Sequence, residues 1–243
     1  MKKMTSPSDK DVPKELLIDA DFLIYSVGFA SEEDSEKFAK SRLVETLEDM
    51  VYIHLKATSY EAFLTGKGNY RYEIAKTVPY KGNRKDAKKP KHYDALRECM
   101  ITRLGAVLVE GQEADDEVAI RMTKEPDKYL LVGVDKDLRQ IPGWHHNPHK
   151  AQTEYIDDFE AYKNFATQLL TGDRVDNIPG LSNVGPVKAA KALKDAKTKE
   201  DLLAAAFAKY QELGYSREYF IEQGQLLWLR RTEGELWQPN EGA

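Results

Sequence analysis

Three stretches of the chain run from apolar residues straight into carboxylates. Leu16-Leu17-Ile18 leads into Asp19 and Asp21, Val107-Leu108-Val109 into Glu110 and Glu113, and Leu131-Val132-Gly133-Val134 into Asp135 and Asp137. Taken singly, an acid in such a place is an ordinary turn former or helix cap. Taken together the acids would crowd one edge of a sheet. Two unit charges ~4 Å apart repel by roughly 1 kcal/mol in water and by several at an effective dielectric near 20, so a shared cluster requires cations or protons. All-oxygen ligation favours Mg²⁺ or Mn²⁺ over Zn²⁺, which prefers His and Cys. Thr171-Gly172-Asp173-Arg174-Val175-Asp176-Asn177 adds a fourth acidic group that could reach the same edge. So many carboxylates can hold two ions ~4 Å apart, the arrangement for in-line displacement at phosphorus, in which one ion activates water and both steady the leaving oxygen. The chemistry implied is phosphodiester hydrolysis.

The cations are patterned as well. Residues 81–91 carry six, Lys81, Arg84, Lys85, Lys88, Lys89 and Lys91, against the single acid Asp86. Tyr80 and Tyr93 flank the run, a mixture of charge and stacking surface suited to gripping a single strand. The alternative is a solvated loop. A second basic feature is Ile178-Pro179-Gly180-Leu181-Ser182-Asn183-Val184-Gly185-Pro186-Val187-Lys188, which reads as a helix end, a Gly-bounded turn and a new helix opened by proline. Backbone N–H groups there would meet a phosphate without reading a base. Lys188 and Lys191 would share a face. An ordinary helical hairpin is the other reading.

These groups need a frame. Apolar runs at 16–18, 60–64, 106–109 and 129–134 predict buried parallel strands, alternating with helical patterns at 36–56, 93–103 and 114–123. The expected fold class is α/β, a mostly parallel sheet with flanking helices, over residues 14–160. If strand geometry persists beyond residue 134, Asp135 and Asp137 point to the same side. Residues 161–231 read as a small all-helical region, with helices predicted at 159–170, 187–196, 199–213 and 217–229. Residues 1–13 are expected to form a loose arm, and 232–243 a frayed tail.

Composition sets limits on these readings. The 243 residues are 41% hydrophobic, enough for a sizeable core, and 36 Lys plus Arg against 41 Asp plus Glu give a formal charge of −5, so any nucleic-acid site must be a local patch. Cys99 is the one cysteine, which excludes an intramolecular disulfide, and it falls in an apolar helical pattern expected to be core. No apolar run approaches the ~18 residues of a membrane span, and no secretory signal opens the chain. A cytoplasmic protein without membrane partners is expected. His145, His146 and His149 sit in one short segment, but the acids offer the better metal site.

With these motifs in view, the chain resembles the metal-dependent 5′-nucleases: bacteriophage 5′-exonucleases, flap endonucleases and the 5′-nuclease domain of bacterial DNA polymerases. The resemblance spans residues 14–195 and rests on Leu17-Ile18-Asp19, Tyr80-Lys81-Gly82-Asn83-Arg84, Glu113-Ala114-Asp115-Asp116, Asp135-Lys136-Asp137 and Gly172-Asp173-Arg174-Val175-Asp176-Asn177-Ile178-Pro179-Gly180 leading into Val184-Gly185-Pro186, in the family's order. It implies a fold like that of PIN domains, with a helix-hairpin-helix in the helical region. Asp19, Glu113 and Asp115 match the first metal site. Asp116, Asp135, Asp137, Asp173 and Asp176 match acids at or near the second. Lys81 and Arg84 match catalytic cations at the base of an arch around residues 79–100, Lys81 closest to the scissile phosphate. Tyr80, Lys85, Lys88 and Lys89, and Gly180, Val184, Gly185, Lys188 and Lys191 in the hairpin element, match DNA-binding positions; in some members the hairpin also holds K⁺ through carbonyls.

The implied activity is two-metal 5′-to-3′ exonuclease or flap cleavage, by a monomer, of DNA with a free 5′ end or 5′ flap, with RNA–DNA hybrids as further substrates. The chain is closer to a stand-alone phage enzyme than to a polymerase fusion. One departure stands out: the family commonly has a further Asp at the end of the second strand, where Phe63-Leu64-Thr65-Gly66-Lys67-Gly68 offers none and Gly66 takes the place. That departure leaves open a catalytically impaired binder of branched DNA. A PIN-type endoribonuclease is the other alternative, though such enzymes generally lack the counterparts of residues 80–91 and 172–191.

Overall fold

The computed structural model describes residues 11–84 and 87–239. Six strands form one sheet in the order β3-β2-β1-β4-β5-β6. They are β1 (Glu15–Asp19), β2 (Ser59–Thr65), β3 (Val107–Val109), β4 (Tyr129–Val132), β5 (Gly143–Asn147) and β6 (Gln152–Ile156). β1 to β5 run parallel, and β6 returns antiparallel to β5.

β1 is buried on both faces, which its apolar run requires. Leu16 and Ile18 pack under α1 (Asp21–Ala30), α2 (Glu36–Glu48) and α4 (Tyr93–Thr102), whereas Leu17 packs with Phe63, Leu131 and Val118 beneath α5 (Ala114–Lys124). α2 continues as a wider π-type turn over Asp49–His54. The strand order reverses at β1, which has β2 on one side and β4 on the other. The carboxyl end of β1 is therefore a topological switch point, where open α/β sheets form their crevices.

α3 (Arg71–Ile74) is a single turn. The helical region comprises α6 (Asp158–Thr171), α7 (Pro186–Ala192), α8 (Lys199–Glu212) and α9 (Arg217–Leu227). Its apolar cluster includes Phe165, Leu169, Tyr210 and Phe220, and it also takes in Tyr80 from the α/β part, so the core continues across the expected boundary at 160. Between α6 and α7 the chain turns on Gly172 and Gly180, with φ of 67° and 60°. A Cβ on Gly180 would lie 2.2 Å from Gly172 N, so the close crossing there needs glycine.

Four expectations change. Strand geometry stops at Val132: residues Asp137–Gln140 form a 3₁₀ turn, and Asp135 Oδ1 accepts from Asp137 N at 2.9 Å. β5 and β6 escape the sequence reading because Trp144-His145-His146 and Thr153-Glu154-Tyr155 mix polar with aromatic residues and form no apolar run, although β5 is paired on both sides and β6 is the edge strand. Residues 232–239 are not frayed, because Trp237 is buried in the helical core and covers Gly224, where a Cβ would sit 2.2 Å from the indole. Val12, within the expected arm, packs against the core, while residues 1–10 and 240–243 lie outside the described residues.

Candidate active site

A cleft of about 300 Å³ opens at the carboxyl ends of β1 and β2. Asp19 ends β1, Glu113 and Asp115 stand at the start of α5, Asp135 follows β4, and all four line the cleft with Asp21. Lys81, Arg84 and Arg97 face them. Five carboxylates against three cations leave this pocket with surplus negative charge.

The surplus is localised. Burial pushes the Asp19 carboxyl well above the usual range, and the charges of Asp21 and Asp135 push it further. Asp115 is raised in the same way, by burial and then by Asp116 and Glu113. Glu113 is compensated: burial alone would raise it, but Lys81 and Arg71 outweigh that and lower it. Its Oε1 accepts from Lys81 Nζ, and its Oε2 accepts from Tyr80 OH at 2.6 Å.

Several expected site residues lie elsewhere. Asp116 is fully buried and faces Arg71, with Nη1 to Oδ2 at 2.6 Å and Nη2 to Oδ1 at 2.8 Å. It also accepts from Glu113 N and Arg230 N. Asp116 thus lies outside the cleft lining, and its oxygens hold the α5 start and residue 230 together. Tyr80 is 3% exposed and its hydroxyl bonds Glu113 and Asp176, so its ring is turned inward beneath the basic connection. Val184 is buried in the helical core and supports the turn from within.

Asp137 and Asp173 form a second group past Asp135. Asp137 accepts from Gln168, and burial, then Asp135 and Asp173, push its pKa up to about 8. Asp173 is 2% exposed and pairs with Lys136 at 2.8 Å. Asp176 pairs with Arg84 and accepts from Tyr80 OH at 2.7 Å. Among the described residues, no three His, Cys, Asp or Glu side chains come close enough to grip one ion as they stand. The acids Glu113, Asp173 and Asp176 are instead turned toward Lys81, Lys136 and Arg84. The all-oxygen donor set and the uncompensated charge on Asp19, Asp115 and Asp135 fit a hard divalent cation.

The basic connection lies beside this cleft. Lys88 pairs with Glu32 at 3.3 Å, and Lys89 Nζ lies 4.3 Å from the centre of the Tyr93 ring. Lys85 lies outside the described residues. In the helical region, exposed Lys188 and Lys191 line one groove between α7 and α8. Space opens beside Gly185, where an added Cβ would meet nothing within 4 Å.

Three cleft or anchoring residues were not assigned from sequence. Asp21 had been read only as a carboxylate following the first strand. Arg97 is one helical turn beyond Tyr93, a spacing that places both on one face of α4. Arg71 gave no signal, because a lone arginine in a polar stretch looks like a surface residue. His145, in contrast, is buried against Ile141 O at 2.7 Å and joins no metal-binding group.

No protein-family model matches the chain. In sequence it is 25% identical over 231 residues to the flap endonuclease Xni of a Shewanella strain, covering 87% of this chain and 84% of that protein. It is 30% identical over 167 residues to DNA polymerase I of Bacillus caldotenax, covering 59% of this chain and 18% of the polymerase, so it corresponds to a small part of that protein. In fold it matches the bacteriophage T5 5′-exonuclease with bound divalent (zinc) ions, at a TM-score of 0.64 and 16% identity over 88% of this chain and 89% of that one. A T5 flap endonuclease in a pseudo-enzyme-product complex with DNA and metal ions gives 0.61 and 15%, over 88% of each chain. The fold that carries this strand order and acid-lined switch point is thus shared with the T5 5′-exonuclease, and the chain is similar in sequence to a flap endonuclease over most of its length.

Proposed function

We propose that this protein is a divalent-metal-dependent nuclease that hydrolyses DNA from a free 5′ end or at a 5′ flap. The carrying observation is the cleft itself: five carboxylates at the switch point, bordered by Lys81 and Arg84 at the foot of the basic connection. Asp19, Glu113, Asp115 and Asp135 would hold the cations, Mg²⁺ or Mn²⁺ by their oxygen ligands. Such ions supply polarisation of the phosphate and activation of water. Lys81 and Arg84 bind the phosphate and offset the charge that develops on it. Both are held by Asp176 and both line the cleft, so either can turn from a carboxylate to a phosphate oxygen over a short distance.

Lys188 and Lys191, with the turn at 180–185, would hold the duplex by its backbone and leave specificity to structure and polarity. K⁺ at that turn and cleavage of RNA–DNA hybrids extend the same reading. 5′-labelled duplex and flap DNA, incubated with Mg²⁺, Mn²⁺ or EDTA in KCl or NaCl, tests it. Metal-dependent release of 5′ products is expected. Tight binding without cutting would favour the impaired binder, and cutting confined to RNA would reject the DNA assignment.

A further inference from the structure

Asp21 is the first residue of α1, two positions beyond Asp19. Its carboxylate reaches across to the end of β2. Oδ2 accepts from Thr65 N at 3.0 Å, and Oδ1 accepts from Arg97 Nη1 at 3.2 Å. Arg97 Nη2 donates to Thr65 O at 2.7 Å, closing a ring of three contacts around the last residue of β2. Asp21 thus stands at the β2 end of the cleft that Asp115 and Asp135 also line.

β2 offers no acid of its own at that end. Gly66 N donates to Val109 O at 2.7 Å, and a Cβ built on Gly66 would lie 2.5 Å from the same carbonyl oxygen and 2.8 Å from Glu110 Cδ. The backbone approach that joins the ends of β2 and β3 therefore excludes a side chain there. Among the described residues that line the cleft, β1, the α5 start and the β4 loop bring carboxylates, and the acid bonded to the last residue of β2 is Asp21 from α1.

We infer that Asp21, held by Thr65 N, supplies the anionic oxygen at the β2 end of the divalent-cation site, with Arg97 as the counter-ion that competes with a cation for its charge. This rests on the nuclease reading and deepens it by naming a ligand from an element other than β2. Substituting Asp21 by Asn keeps an acceptor for Thr65 N and removes the charge. Substituting Arg97 by Gln frees the Asp21 charge. A purely structural Asp21–Arg97 pair would make both changes weaken cation binding. A ligand role gives them opposite signs.

Mn²⁺ titration of the full chain, followed by the electron paramagnetic resonance signal of free Mn²⁺, separates these, with circular dichroism checking the fold. Asp21→Asn is expected to weaken binding about 10-fold or more, and Asp21→Glu to recover part of it. Arg97→Gln is expected to leave affinity unchanged or to raise it. Wild-type affinity in Asp21→Asn, or a parallel loss in both variants, would overturn the inference while leaving the nuclease reading intact. A wild-type chain that binds no Mn²⁺, or binds it undiminished in Asp135→Asn, would overturn the reading beneath it and the inference with it.

Discussion

Asp115 and Asp116 are neighbours in the chain and belong to two regions with opposite electrostatics. Asp116 points back into a buried junction, where the Arg71 guanidinium grips both its oxygens and also donates to Leu226 O and Trp228 O. That junction is neutral and saturated with hydrogen bonds. Asp115 points into the cleft, where its carboxyl is raised by burial and by like charges. One region is complete as the chain folds; the other keeps an excess of negative charge. The contrast separates carboxylates that build the fold from those available to an external cation.

The sharpest way to break the comparison is to remove one charge on each side. Asp135→Asn is expected to lower cleavage by at least ~10²-fold while DNA binding stays or tightens, because charge at the metals is lost and the phosphate contacts remain. Equal loss of both, measured by single-turnover cleavage and a filter-binding titration, would remove its assigned role. Arg71→Met strands the Asp116 charge in the interior and should cost about 3–5 kcal/mol of stability, read by denaturant unfolding. A loss under ~1 kcal/mol would show that the junction is not the closed ion pair described.

His145 extends the comparison to a buried group that carries no charge. Burial lowers its pKa from 6.5 to about 4. Between those values the unfolded chain takes up a proton that the folded chain refuses, so stability is lost as pH falls through this window, by up to about 3 kcal/mol. His145→Gln should flatten the decline in Tm from pH 6.5 to 4, and an unchanged slope would contradict the assignment. The smallest effect concerns the helical region: Lys188→Ala with Lys191→Ala should reduce the salt slope of duplex binding by up to ~2 units, and cleavage of saturating substrate should change little. An unaltered slope would place the duplex elsewhere.

The α/β frame was legible because its strands are apolar throughout and its helices are regularly patterned. The runs at 16–18, 60–64, 106–109 and 129–134 all became parallel strands, with β4 ending two residues short. The β5–β6 hairpin was not, since its residues mix polar with aromatic types and show no such run even where β5 is buried. Within the candidate site, Asp19, Glu113, Asp115 and Asp135 were legible as acids that follow strands or open a helix. For Tyr80, a tyrosine beside a basic run looks like stacking surface, and only its position under Glu113 and Asp176 shows that its hydroxyl is used inward.

By itself the sequence determined which residue types arrive at the carboxyl edge of the sheet, because strand ends and helix starts are local properties of a chain. It also determined that Gly172 and Gly180 turn the chain between two helices. Only the tertiary structure decided which carboxylates are already matched. Pairing depends on where Arg71, Lys81, Lys136 and Arg97 come to rest, and each reaches its acid across a sequence separation that no local pattern encodes. The charge of an acid is written in the chain, whereas its compensation is a property of the fold.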